Sequence, residues 1–191
     1  DDARVILDSL EIEKAHLLGV SMGGMVAQEF ALLFPDRTKT LTSIMSSGNI
    51  MDNKIAPIST KVVFKLVKAS IRYGIIPGDK SLIKTQLASR LILRGDAKYD
   101  LDVKNVAEQV LFNLRKRKGY NPEVSRQHHE ATYRSGSRHD ALKELSIPTL
   151  IIHGVNDPFI PFSHSVKLAE SMGHAKSLLI ENMGHDIPVI H

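Results

Sequence analysis

A parallel α/β sheet interrupted by a long helical segment is the fold class that this sequence predicts. Two pairs of short apolar runs, each followed by a loop, have the pattern of parallel strands buried on both faces. Between the pairs, residues 52–145 show helical periodicity and no convincing strand. The polar residues best suited to chemistry all follow predicted strands, at the sheet edge where α/β proteins bind ligands.

The first sheet segment, residues 1–51, begins with a short helix and continues as strand, helix and strand. The run from Ala15 to Val20 is apolar without polar alternation, as in a strand buried on both faces. Apolar residues then recur at helical spacing until Pro35, which ends the helix. A second strand is predicted over residues 40–46. Strand, helix, strand is the repeating unit of a parallel α/β sheet.

The helical segment, residues 52–145, has its clearest helix at residues 103–118. Apolar side chains fall on one stripe of that helix, and Asp102 is placed as its N-cap. The basic run at residues 115–118 lies in the last turn, where cations interact favourably with the helix dipole. This run is therefore interpreted as part of the helix and not as a binding patch.

The second sheet segment, residues 146–191, returns to the strand pattern. Strands are predicted at residues 149–153 and 177–180, with a helix over residues 163–172 between them. A polar loop follows each strand. The chain thus divides into two sheet segments on either side of the helical segment.

Residues 19–23, Gly-Val-Ser-Met-Gly, match the G-x-S-x-G pattern of a nucleophile elbow. The serine of such an elbow lies on a sharp strand-to-helix turn, where small neighbours allow the strand and the helix to approach. Gly19 and Gly23 are predicted to meet that requirement, and Gly24 to ease the packing further. The following helix then points its N-terminus at Ser21, so the backbone N–H of Met22 is a predicted oxyanion donor.

A serine nucleophile requires a general base and a carboxylate that orients the base. Asp157 follows one predicted strand and His185 follows the next, which places both at the same sheet edge as Ser21. Asp186 is a weaker candidate because adjacent side chains usually point apart. Asp52, which follows the second strand, remains the competing carboxylate.

Composition excludes several function classes. The chain has no cysteine, which rules out disulfides, thiolate nucleophiles and cysteine metal sites within it. Its formal net charge of +4 is too small, and its charges too scattered, to indicate nucleic-acid binding. The histidines do not occur at metal-ligand spacing, so no metal or cofactor is expected. No apolar stretch approaches the roughly 20 residues that span a bilayer, and the absence of cysteine favours the cytoplasm.

These motifs together resemble the α/β-hydrolase superfamily, most closely its lid-bearing serine esterases of the aclacinomycin methylesterase-like or haloperoxidase-like branch. The resemblance covers nearly the whole chain outside the helical segment. It implies that Ser21 is the nucleophile, Asp157 the acid and His185 the base. The matching stretches are residues 17–24, 34–37, 148–154, 157–158 and 184–185.

The resemblance further implies a serine hydrolase that cleaves small to medium apolar carboxylic esters through an acyl-enzyme. Residues 52–145 are then the lid, and side chains such as Phe64 and Leu66 are expected to set substrate size. The alternatives are serine haloperoxidase or perhydrolase chemistry, and hydrolysis of peptide or C–C bonds. A non-catalytic ligand-binding protein on a hydrolase scaffold is a further alternative.

The superfamily's sheet has more strands than the four predicted here. The resemblance therefore implies that N-terminal strands, the loop with the second oxyanion donor and the final helix lie outside residues 1–191. We expect sequence beyond this chain, or a partner chain, to supply the other half of the sheet. The partner in the reaction is a small-molecule ester.

Overall fold

A four-stranded parallel sheet forms the centre of the protein. The structure, a computed structural model, describes residues 2–187. The strands lie side by side in the order in which they occur along the chain. Their register pairs Val20 with Ile44 and Ile44 with Ile152, so the carboxyl ends of the strands align at one edge. The strands are β1 (Ala15–Val20), β2 (Thr38–Ile44), β3 (Thr149–Gly154) and β4 (Lys176–Ile180). The predicted parallel α/β class is confirmed.

Eight α-helices accompany the sheet in the described residues. Three of those in the helical segment begin at side-chain caps: Ser59 accepts from the N–H of Val62, Asp102 from that of Asn105, and Asn121 from two amides. The cap predicted at Asp102 is therefore confirmed. The helices are α1 (Asp2–Ser9), α2 (Met22–Leu33), α3 (Thr60–Gly74), α4 (Asp79–Arg94), α5 (Val103–Arg117), α6 (Pro122–Arg134), α7 (His139–Lys143) and α8 (Ser163–Met172).

The main hydrophobic core lies on one face of the sheet, where α2, α7 and α8 pack against β2 and β3. Leu142 and Leu145 belong to this core, although both fall within residues 52–145. The end of the helical segment is therefore anchored in the sheet region. The core residues are Ala27, Ala31, Leu41, Leu142, Leu145, Ile151, Leu168 and Met172.

Helices α3, α4, α5 and α6 form the rest of the helical segment, and this part of the described chain contains no strand. Few of its apolar side chains are buried. Val62 and Ala69 of α3 and Val106 and Val110 of α5 are the main exceptions. None of the helices within residues 2–187 combines the length and the apolar character that a membrane span requires.

Candidate active site

Ser21 lies on the sharp turn between β1 and α2. Its backbone has φ 54° and ψ −119°, a left-handed conformation that is uncommon for a residue with a side chain. Two hydrogen bonds hold the turn. The N–H of Ser21 donates to the carbonyl of Ile44 at 2.8 Å, and the Ser46 hydroxyl donates to the carbonyl of Ser21 at 2.7 Å. Strain of this kind persists only where the surroundings enforce it, and it is common at functional sites.

The glycines of the elbow differ in the space that a Cβ atom would have at each position. A Cβ at Gly19 would lie 2.1 Å from the carbonyl oxygen of Gly23, and one at Gly24 would lie 2.6 Å from the Cβ of Ser46. The steric requirement predicted for these two positions is confirmed. A Cβ at Gly23 would meet nothing within 4 Å in the described residues. There the prediction was wrong, because the carbonyl of Gly23 makes the close contact and its Cα does not.

His185 connects Ser21 to Asp157. Its Nε2 lies 3.0 Å from the Ser21 hydroxyl, and its Nδ1 lies 2.6 Å from Oδ2 of Asp157. An ionised carboxylate only accepts hydrogen bonds, so Nδ1 carries the proton and Nε2 is left with a lone pair facing Ser21. The three predicted side chains are thus brought together in the order that proton transfer from serine requires.

Asp157 is buried and accepts hydrogen bonds at both carboxylate oxygens. The backbone N–H groups of Phe159 and Ile160 donate to Oδ1 at 2.8 and 2.9 Å. Burial alone would raise the pKa of Asp157, but hydrogen bonds and charge from His153 and His185 outweigh burial and lower it. The carboxylate is therefore held ionised, with one oxygen directed at His185.

His153 is a further member of the site, and it has no place in the motifs that the sequence predicts. Its Nε2 lies 2.9 Å from the carbonyl of Ile160 and 3.1 Å from Oδ2 of Asp157. A carbonyl only accepts, so Nε2 must carry the proton and also faces Asp157. Its Nδ1 pairs with the hydroxyl of Ser165. The available signal was its place at the end of β3, four residues before Asp157.

The two competing carboxylates have other neighbours. Oδ2 of Asp52 lies 3.9 Å from Nε2 of His139. Asp186 lies 3.7 Å from Arg90, and burial raises its pKa. Neither has a hydrogen bond to His185 within the described residues, so Asp157 is the carboxylate that faces the imidazole.

The end of α4 supports the loop that carries His185. The N–H of His185 donates to the carbonyl of Leu93 at 2.8 Å, one of the terminal carbonyls that a helix leaves without a partner. A Cβ at Gly184 would lie 2.2 Å from the carbonyl oxygen of Arg94, so only glycine fits there. Asn182 accepts from the N–H of Lys98 at 2.8 Å. The helical segment therefore holds the base in place.

A cavity of about 770 Å³ lies beside the base, between α3, α4 and α6. The ring of Phe159 lines it and meets the His185 ring edge-on, with centroids 5.2 Å apart. Leu66 lines the cavity, whereas Phe64 does not and is 69% exposed. The side chain of Phe64 lies on the outer face of α3. That these two side chains set substrate size stays a prediction. No lysine, arginine, aspartate or glutamate lines the cavity.

Met22 is the first residue of α2, where helix N–H groups have no intrahelical acceptor. That is the place where an oxyanion donor is required. No group of three or more metal-ligating side chains that could hold an ion is found within residues 2–187.

The sequence matches the alpha/beta hydrolase fold family over residues 1–191, and the chain belongs to this family. It is 30% identical over 189 residues to a 2-hydroxy-6-oxo-6-phenylhexa-2,4-dienoate hydrolase of Comamonas testosteroni, covering 94% of this chain and 59% of the relative. It is 26% identical over 201 residues to a rhodomycin D methylesterase of Streptomyces peucetius, covering 98% and 66%.

Solved structures show the same relationship. A meta-cleavage product hydrolase from Pseudomonas fluorescens IP01 superposes with a TM-score of 0.60 at 25% identity, covering 94% of this chain and 61% of the other. The chain thus spans about three fifths of the length of the relatives it matches first.

Proposed function

We propose that the protein is a serine hydrolase that cleaves small to medium apolar carboxylic esters through an acyl-enzyme. The hydrogen-bonded series Ser21, His185 and Asp157 is the observation that carries this proposal. Each side chain has the partner that nucleophilic catalysis requires, at distances of 3.0 and 2.6 Å. The absence of cysteine favours a cytoplasmic enzyme.

The reaction follows from the geometry. Nε2 of His185 takes the proton of the Ser21 hydroxyl while Oγ attacks the ester carbonyl. Asp157 stabilises the imidazolium, and the N–H of Met22 donates to the oxyanion. Collapse of the tetrahedral intermediate breaks the bond to the alcohol, which leaves with the proton from His185. Water, deprotonated by His185, then attacks the acyl-enzyme and releases the acid and free Ser21.

The apolar wall of the cavity, which has no lysine or arginine, favours a neutral apolar substrate. Among the lining residues only His129 could pair with a buried substrate carboxylate, and only when its imidazole is protonated, so burial of such a charge is costly. An ester with an aliphatic or aromatic acyl group meets no such cost.

Hydrolysis of a C–C bond is the second candidate, favoured by the 30% identity to the Comamonas testosteroni dienoate hydrolase. The two candidates share the nucleophile and the base. They differ in the charge of the substrate, because a dienoate carries a carboxylate. Assaying the intact protein on p-nitrophenyl esters and on the dienoate separates them, and a higher kcat/KM on the dienoate would displace the ester proposal.

Labelling with a fluorophosphonate tests the enzyme proposal itself. The probe should modify Ser21, detected by mass spectrometry of the digested protein, and Ser21→Ala should lose both labelling and activity. Ser125→Ala, on the exposed face of α6, is the matched control and should behave as the parent. An intact, folded protein that neither labels at Ser21 nor cleaves esters would instead support the ligand-binding alternative.

The lid role of the helical segment is tested through substrate size. Leu66→Ala enlarges the cavity, so we expect kcat/KM to shift towards longer acyl chains among water-soluble esters. Phe64→Ala is the control, because the side chain of Phe64 lies outside the cavity. An unchanged chain-length profile in Leu66→Ala would show that the acyl chain of the substrate does not occupy this cavity.

A further inference from the structure

Helix α3 presents a stripe of four cations to solvent. Lys61, Lys65, Lys68 and Arg72 recur at helical spacing and are all exposed. No carboxylate of the described residues lies within ion-pairing distance of them. The sequence also contains no acidic residue between Asp52 and Asp79. The positive charge of this helix is therefore uncompensated locally.

Apolar side chains are exposed along the flank of the same stripe and at the turn that follows α3. Phe64 is 69% exposed and Ile76 is 75% exposed, and neither lines the cavity. Val67, Ile71 and Ile75 are also exposed, but they line the cavity as well. Large apolar side chains grouped in this way mark interaction sites more often than scattered ones do.

We propose that α3 and the turn after it form a docking surface for anionic lipid membranes. A helix with cations on one stripe and exposed aromatic and aliphatic side chains beside it can lie in the plane of a membrane interface. The cations then face lipid phosphates, and Phe64 and Ile76 enter the boundary between headgroups and acyl chains. A protein partner with an acidic surface would also complement the charges, but the side chain of Phe64 would then not enter a lipid bilayer.

The position of the cavity connects membrane docking with substrate entry. Val67, Ile71 and Ile75 are exposed and also line the cavity, so the cavity borders the proposed lipid surface. An apolar molecule dissolved in the bilayer can enter the cavity with little exposure to water. Docking itself does not depend on catalysis and can be measured with the Ser21→Ala protein.

Flotation with lipid vesicles tests the proposal. The intact Ser21→Ala protein is mixed with vesicles of phosphatidylcholine, with or without phosphatidylglycerol, at low and high salt. We expect binding only when phosphatidylglycerol is present, and weaker binding in high salt. Lys65→Gln with Lys68→Gln should lower the partition coefficient about fivefold per charge removed, and Phe64→Ser with Ile76→Ser about tenfold or more.

Helix α5 supplies matched controls. Lys104→Gln with Lys116→Gln removes two exposed cations, and Val103→Ser with Phe112→Ser removes two exposed apolar side chains. These variants should bind vesicles as the parent does. A Phe64→Trp variant tests whether this position enters the bilayer. Residues 1–191 contain no other tryptophan, and the tryptophan fluorescence should shift to shorter wavelength when the side chain leaves water for the lipid.

Three results would overturn the proposal. The first is no binding to vesicles that contain phosphatidylglycerol. The second is binding that the α3 variants and the α5 controls reduce equally. The third is a change of oligomeric state in the α3 variants without vesicle binding, which would make this face a protein interface.

Discussion

The contacts that stabilise the sheet region differ in kind from those that stabilise helices α3 to α6. In the sheet region, several buried polar groups are paired with one another: the guanidinium of Arg138 donates to Gln28 and to the carbonyl of Ser47, at 3.1 Å each. His164 lies between the hydroxyl of Ser47 and the carbonyl of Ala56. In contrast, α6 carries exposed ion pairs such as Arg126 with Glu123, and pairs of that kind contribute little stability.

This difference assigns the catalytic groups to the sheet region and the binding surfaces to the helices. The proposed catalytic groups lie where close backbone contacts and buried hydrogen bonds leave few alternative positions. The helices leave apolar and charged side chains exposed, where they can meet a substrate or a surface. The two regions meet at the end of α4, where the carbonyl of Leu93 accepts from the N–H of His185. Substitutions should therefore have large effects on rate in the sheet region and at this junction.

The largest effect is expected at the orienting carboxylate. Asp157→Asn should lower kcat on the order of 10⁴-fold, because an amide in place of the carboxylate favours the wrong imidazole tautomer. Asp52→Asn is the matched control and should keep a kcat close to that of the parent, because Asp52 faces His139 and not His185. Near-normal activity in Asp157→Asn, with loss in Asp52→Asn, would reverse the assignment.

The junction is tested at Gly184. A Cβ there would lie 2.2 Å from the carbonyl oxygen of Arg94, so Gly184→Ala must displace the His185 loop. A displacement of about 1 Å costs about 10²-fold in kcat, with little change in KM. Gly74→Ala is the control for an added methyl group, because its nearest new contact is an ordinary 3.9 Å. Gly74 lines the cavity, so the two variants are compared by kcat and not by KM. Equal rates in the two variants would show that α4 does not position the base.

His153 is a positioning residue in this scheme, and its removal should have an intermediate effect. His153→Leu should lower kcat about tenfold, the value of one hydrogen bond to a charged group. It should also raise the pKa of Asp157, so activity on the acid side is lost at higher pH than in the parent. His153→Gln should recover part of the rate, because its amide can donate to Asp157. A uniform loss at every pH without recovery would indicate a structural role alone.

The features that the sequence could predict are those formed by residues close together along the chain. The strand-to-helix turn at Ser21 has a local signature, and the strands before Asp157 and His185 are apolar runs that short windows reveal. The contact between Leu93 and His185 has no local signature, because it joins residues distant in sequence. The outward position of Phe64 likewise depends on which face of α3 its neighbours cover.

Glycine motifs show the same limit in a smaller way. The sequence pattern treats Gly19 and Gly23 as equivalent, but a Cβ would come within 2.1 Å of a backbone oxygen at Gly19 and would meet no such contact at Gly23. The spacing of a motif predicts that a turn forms. It does not predict which glycine makes the closest contact.

The smallest expected effect is on stability against pH, and it arises in the sheet region. Burial lowers the pKa of His164 below its ordinary value of 6.5, aided by nearby His153 and opposed by the carbonyl of Ala56 and by Asp52 and Asp157. A lowered pKa means that the unfolded chain binds the proton first as the pH falls. Stability is therefore complete above pH 6.5 and declines as the pH falls from there towards the folded-state pKa.

Asp157 contributes in a separate, more acidic window, because its pKa lies below an ordinary value of 3.8. Urea unfolding of the intact protein at pH 7.5 and 5.5 should thus show a lower midpoint at pH 5.5. His164→Gln cannot take up a proton, so its midpoint should change less between the two pH values, whatever its stability at pH 7.5. His174→Gln, at a more exposed site, should retain the parent's dependence. If His164→Gln and the parent lose the same stability between pH 7.5 and 5.5, the proton uptake lies elsewhere, and His139, whose pKa burial also lowers, becomes the group to replace next.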